Sequence, residues 1–244
     1  MSRGRVGKAG GLKGQWPHYV VAGCMPWNRR VFHEVIEKLP GRWDFIESPE
    51  ELNVKTIQSM HPRYIFFLHW SWKVPDKLVS AHECVCFHMT NVPYGRGGSP
   101  LQNLIIRGAR HTKLTALRMS SDIDSGPVYL KRNLCLEGCA EEIYIRATYL
   151  AAAMIEQIIR DQPKPTAQKG KGVIFRRRTG RESKIVRPKS LGMLYDFIRM
   201  LDAEGYPRAF IDHSGFHFEF SRAALHEGEI RADVTITCLE KTKS

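Results

Sequence analysis

Nothing in this 244-residue sequence approaches the roughly 20 consecutive apolar residues needed to cross a bilayer, so membrane-spanning helices are not expected. The apolar run after the basic N-terminus, VVAGC at Val20 to Cys24, is too short for the hydrophobic region of a secretory signal, so HYVVAG is read as a first core strand. The expected compartment is the cytoplasm, and the six cysteines are read as reduced thiols. No G-x-G-x-x-G is present, which removes the usual invitation to a dinucleotide, and no internal repeat is apparent. Acidic residues are missing from two places. The first fourteen residues carry four Lys/Arg and no acid, and residues 164–190 carry ten against Glu182 alone, so the formal charge of +12 is concentrated there. Charge confined to two segments weighs against a nucleic-acid partner and leaves a local anion site open.

What is there alternates. Strand HYVVAG, helix NRRVFHEVIEKL, strand WDFIES, a short helix near Val54 to Met60, and strands YIFFLHW and CVCFH predict a sheet with helices on its faces. Helical spacing of Ile143, Ala147, Leu150, Ala151, Met154, Ile155 and Ile158 predicts a long helix over Ala140 to Asp161, ended by Pro163 and Pro165. Ser190 is expected to cap a second amphipathic helix. AFID and FHFEF flank His213-Ser214-Gly215 as a hairpin, and DVTITCL reads as a closing strand.

The densest chemistry lies between Cys84 and Arg132. His88 ends an apolar strand, and NVPYGRGGSP follows as a loop read as neither helix nor strand. Ser99-Pro100 is expected to start a short helix with Ser99 as its side-chain cap, and Asp124 sits in the tight turn SSDIDSGP. His88 and Asp124 thus both stand where a strand gives way to a loop, the edge at which open α/β sheets bind ligands. His82, Cys84, Cys86 and His88 alternate along one strand face. Four such positions spread over several residues of rise and do not converge tetrahedrally, so no metal is expected.

The order His88, then Pro93, Arg96, Gly97 and Pro100, then Gly108, then Asp122-x-Asp124-Ser125-Gly126 resembles the 10-formyltetrahydrofolate-dependent formyltransferase family. The wording HMTNVPYGRGGSPLQNLI, the segment Pro26-Trp27-Asn28 and the run Phe175 to Ile185 are most similar to sugar-nucleotide N-formyltransferases of the pseudaminic-acid type. The resemblance implies an α/β, Rossmann-like formyltransferase domain over residues 16–165, after a disordered basic tail over 1–15. A small C-terminal α+β appendage would follow over 166–244. It implies 10-formyltetrahydrofolate as cofactor, tetrahydrofolate as product, and the amine of a nucleotide-linked amino sugar as acceptor. The alternatives are a methionyl-tRNA-type formyltransferase and a catalytically silent folate or nucleotide binder. His88 and Asp124 would form the catalytic pair. Trp70, Trp72, Ser121, Asp122, Ile123 and Asp124 would hold the cofactor, and Tyr94, Arg96, Gly97, Arg176, Arg177 and Arg178 the acceptor. The family carries Asn two residues before its histidine, where this sequence has Cys86, and a backbone N–H or the amide of Asn91 is the candidate replacement donor. An oligomer is left open.

Overall fold

The computed structural model describes residues 16–239. The tail read over 1–15 lies outside the described residues. In chain order the elements are β1 (His18–Gly23), α1 (Pro26–Glu34), β2 (Arg42–Ile46), α2 (Val54–Met60), β3 (Tyr64–Leu68), α3 (Asp76–Ala81) and β4 (Cys84–His88). There follow β5 (Tyr94–Gly97), α4 (Pro100–Ile105), β6 (His111–Arg118), β7 (Val128–Cys135) and α5 (Ala140–Asp161). The chain then forms β8 (Val173–Phe175), α6 (Leu191–Arg199), β9 (Ala209–His213), β10 (Phe216–His226) and β11 (Glu229–Cys238).

The main sheet has the order β2-β1-β3-β4-β6-β7, with β2, β1, β3 and β4 parallel and β6 and β7 antiparallel to their neighbours. Strands β1 and β3 are buried along their whole length, which explains their continuous apolar runs. Alternate side chains feed two cores. Tyr19, Val21, Phe66 and Val85 meet α1 and α5 on one face, whereas Val20, Ala22, Ile65, Phe67 and Cys84 meet Ile57 of α2 and Leu78 of α3 on the other. The predicted stripe of α5 is buried at Ile143, Ala147, Ala151, Met154, Ile155 and Ile158, and Gln162 ends the helix in a left-handed conformation.

The C-terminal part is a three-stranded antiparallel sheet, β11-β10-β9, preceded by α6, whose Ser190 cap accepts from the Met193 amide. It does not close a core of its own. Ile198, Met200, Leu201, Ala203 and Ala209 join the same cluster as α5. Arg199, almost wholly buried, donates to the carbonyls of Leu136 (2.6 Å) and Gly138 (2.8 Å) while its Nε bonds Asp196 (2.7 Å).

Three local expectations are corrected. The segment read as plain loop contains β5, paired in parallel with β8, seventy-nine residues later at Tyr94↔Val173. Its glycines make this possible: at Gly97, with φ of +94°, a Cβ would stand 2.6 Å from the Phe175 carbonyl oxygen, and at Gly98 2.4 Å from Arg177 Cα. Ser99 is not a helix cap. It adopts a left-handed conformation (φ +47°), and its Oγ instead accepts from the Arg178 amide at 3.0 Å. Helix α3, short and without side-chain capping bonds, has no strong signal in the sequence. Among the described residues no helix is long and apolar enough to cross a membrane.

Candidate active site

His88 is the last residue of β4 and is 8% exposed. Its Nε2 lies 2.7 Å from the Gly95 carbonyl oxygen, and its Nδ1 lies 3.4 Å from Asp124 Oδ2. That same carboxylate oxygen accepts from the Gly97 amide at 2.9 Å. Gly95 O also accepts from Thr90 Oγ1 (3.3 Å), and Thr115 Oγ1 donates to Thr90 O (2.7 Å), so the loop after β4 is held from both sides.

Asp124 does not arrive from the edge that the sequence suggested. Val85 pairs with Arg118 and His88 with Thr115, so β6 ends beside the beginning of β4. The β6–β7 turn therefore leaves from the opposite edge and folds back over the sheet face that carries Cys84 and Cys86, with Met119 packed against that core. Asp124 reaches His88 at the end of this return, in a left-handed conformation (φ +51°). Gln168, a residue the sequence reading missed, fastens it there. Its Nε2 donates to the carbonyls of Asp124 (2.7 Å) and Gly126 (2.8 Å), while its Oε1 accepts from Arg96 Nε (3.0 Å) and Nη2 (2.8 Å). A single Gln between helix and strand has no distinguishing sequence signal.

The acceptor candidates fall into one patch, because β5–β8 pairing brings Tyr94, Arg96 and Gly97 against the segment that leads to Arg176, Arg177 and Arg178. Their charges are unequally free. Arg96 is committed to Gln168, and Arg176 pairs with Glu182 at 2.5 Å. Arg178 bonds the Glu182 carbonyl at 2.5 Å and lies over Phe197 at 5.7 Å. Burial lowers the Arg178 pKa from its ordinary value. Arg177 makes no such ion pair among the described residues, and its charge acts on the Tyr206 phenol. Tyr94 is 41% exposed and packs edge-on against Phe175.

Of the cofactor candidates, Trp70 and Trp72 meet edge to face at 5.1 Å, and Trp70 packs against the same core as Cys86 and Met119. Trp70 Nε1 is buried without a hydrogen-bond partner. Ser121, Asp122 and Ile123 stand exposed at the tip of the returning turn, where Asp122 O accepts from Ser120 Oγ (3.1 Å) and Ser125 Oγ (3.0 Å). Asn91 is not brought to the pair. Its Oδ1 is held by Lys131 Nζ at 2.7 Å, out towards β7. Cys86 is beside the pair: burial and the Asp124 charge push its thiol well above the ordinary range, so it is a neutral S–H at physiological pH. Among the described residues no three His, Cys, Asp or Glu side chains converge on a metal position.

A family model for the methionyl-tRNA formyltransferase C-terminal domain matches residues 180–237. The methionyl-tRNA formyltransferase of Rickettsia massiliae (strain Mtu5) is 27% identical over 135 residues, 53% of this chain and 45% of the relative, so the match spans about half the length of such curated relatives. A solved methionyl-tRNA formyltransferase from Clostridium thermocellum is 40% identical with a TM-score of 0.87, covering 91% of this chain and 99% of that one. HypX from Aquifex aeolicus, solved in complex with tetrahydrofolic acid, shares the fold at 17% identity and a TM-score of 0.69, over 86% of this chain and 38% of its own. Sugar N-formyltransferases share the fold at 14–16% identity. The expected special closeness to pseudaminic-acid-type enzymes is not what the sequence identities favour. On the 40% identity, which extends over nearly the whole of both chains, this protein belongs to the formyltransferase family, on the methionyl-tRNA formyltransferase-like side.

Proposed function

We propose that this protein moves a formyl group from 10-formyltetrahydrofolate to a primary amine, with His88 and Asp124 as the working pair. The observation that carries the reading is the buried His88–Asp124 contact beside the glycine loop. Gly95 O can only accept, so His88 Nε2 carries the proton in the contact between them, and Nδ1 faces the Asp124 carboxylate. Turned from Gly95 O, the His88 Nε2–H would be the donor that meets negative charge developing on a reacting carbonyl oxygen, with Asp124 fixing the ring's orientation and accepting the proton that leaves the amine.

The residues fit a folate. Trp70 offers an aromatic surface and an unpaired buried N–H, and Ile123, 74% exposed at the tip of the returning turn, offers an apolar contact. Bound there, the folate supplies the activated formyl group. Cys86, a weak donor, does not replace the amide that the family resemblance expects.

For the acceptor, the nucleic-acid reading now leads over the expectation that nucleic acid is not a partner. The relatives with substantial identity are methionyl-tRNA formyltransferases, and the exposed Lys169, Lys171, Arg181 and Lys189 flank the patch around Arg177. A nucleotide-linked amino sugar is the second reading. The specific observation in its favour is that only Arg177 of the three consecutive arginines is left for a nearby phosphate. Incubation with 10-formyltetrahydrofolate and either methionyl-tRNA or a UDP-linked 4-amino sugar, followed by mass spectrometry, decides between them. Absence of any formylated amine alongside retained folate binding would establish the silent binder instead.

A further inference from the structure

The edge of the main sheet opposite His88 carries a second site. A hollow of about 430 Å³ opens where β3 and β4 begin and β6 ends, lined by His61, Arg63, Ser80, His82, Glu83 and Arg118. It lies roughly 17 Å along β4 from His88, five residues of strand rise away. Its charge is one-sided. Glu83, the single acid in the lining, is already engaged, with one oxygen taking the Tyr129 hydroxyl and the other Arg118 at 3.1 Å. Arg63 is exposed, with its guanidinium held over the Tyr64 ring at 4.6 Å and no carboxylate partner among the described residues. His82 Nε2 is buried and has no hydrogen-bond partner among them. Burial, and then the neighbouring His61, keep His82 below the ordinary histidine pKa.

A cavity with a surplus guanidinium, an unpaired imidazole nitrogen and a neutralised carboxylate has donors to spare and no free acceptor charge. We propose that this hollow binds the phosphate group of a small phosphomonoester, with Arg63 donating to its oxygens, His82 supplying the buried contact, and Arg118 completing the rim. The guanidinium fork suits such an oxyanion, and the volume leaves room for the sugar of a nucleoside monophosphate beyond it.

The test uses the full chain at constant ionic strength. The His61 and His82 ring resonances are followed by NMR during titration with inorganic phosphate, UMP, uridine and sodium chloride. Saturable shifts of both rings by phosphate and UMP are expected, with an upward move of the His82 titration when either is bound, and with none from uridine or chloride. Arg63→Gln and His82→Gln should each weaken UMP binding about fivefold or more at an unchanged melting temperature. Linear drift without saturation overturns the site, as does uridine binding as tightly as UMP or undiminished affinity in Arg63→Gln.

Discussion

Two histidines stand at the ends of adjacent parallel strands, His69 just beyond β3 and His88 at the end of β4, and their surroundings differ. His88 lies between a carboxylate and a carbonyl oxygen, both acceptors. His69 lies in an aromatic cage, edge to face with Tyr144 at 4.2 Å and Trp27 at 5.9 Å, and its Nε2 meets the Tyr206 hydroxyl at 2.6 Å. Burial lowers its pKa to about 4, so it is neutral at physiological pH. Its backbone is left-handed (φ +52°), and its carbonyl accepts from Cys24 Sγ at 2.9 Å. Position at a strand end brings a histidine to the sheet edge; the partners that tertiary structure supplies decide what surrounds it there. Here His69 joins the sheet to the C-terminal part through Tyr206.

The sharpest way to break this contrast is at the member that faces a carboxylate. His88→Ala should lower turnover by about 100-fold or more, and Asp124→Asn comparably, with the folded structure retained in each. Near-normal turnover in single-turnover assays would remove the residue from its role. Gln168→Ala acts one step away. It frees the Asp124 turn and leaves Arg96 unpaired, so turnover should fall about tenfold with a modest loss of stability of about 1–3 kcal/mol.

At the neutral member the effect is on stability. The folded pKa of His69, about 4, lies below the ordinary 6.5, so the unfolded chain binds more protons between those values. The contribution is complete above pH 6.5 and drains away as pH falls towards 4. His69→Gln should flatten the dependence of melting temperature on pH across that window and change turnover at neutral pH by less than about threefold. An unchanged pH profile would show that His69 is not held neutral by its cage.

Smaller effects separate the arginines. Arg177→Ala should raise the Michaelis constant of the acceptor about fivefold without altering that of the folate, whereas Arg176→Ala and Arg178→Ala should show up in thermal melts, because both are tied to Glu182. The smallest effect is expected at Cys86. With a neutral thiol beside Asp124, Cys86→Ala should keep most of the activity. A tenfold gain in Cys86→Asn would show that an oxyanion donor is missing from the native site.

Local pattern was enough for β1, β3, β4 and α5, since burial on two faces demands continuous apolar runs and burial on one helix face demands a 3.6-residue stripe, both written in consecutive residues. His88 and Asp124 were singled out by the family resemblance that the order of motifs carries, and folding brings the two side chains to 3.4 Å. What no local pattern contains is pairing between distant segments. That β5 exists at all depends on β8, and Ser99 serves Arg178 because the same pairing brings it there. Asp124 meets His88 by crossing a sheet face rather than by sharing an edge, because β6 is antiparallel to β4. Equal letters in Arg176-Arg177-Arg178 carry unequal free charge, because Glu182 neutralises one side of the segment and leaves Arg177 towards Tyr206. Residue type is a property of the sequence, but availability depends on which partner long-range folding has brought within hydrogen-bonding distance.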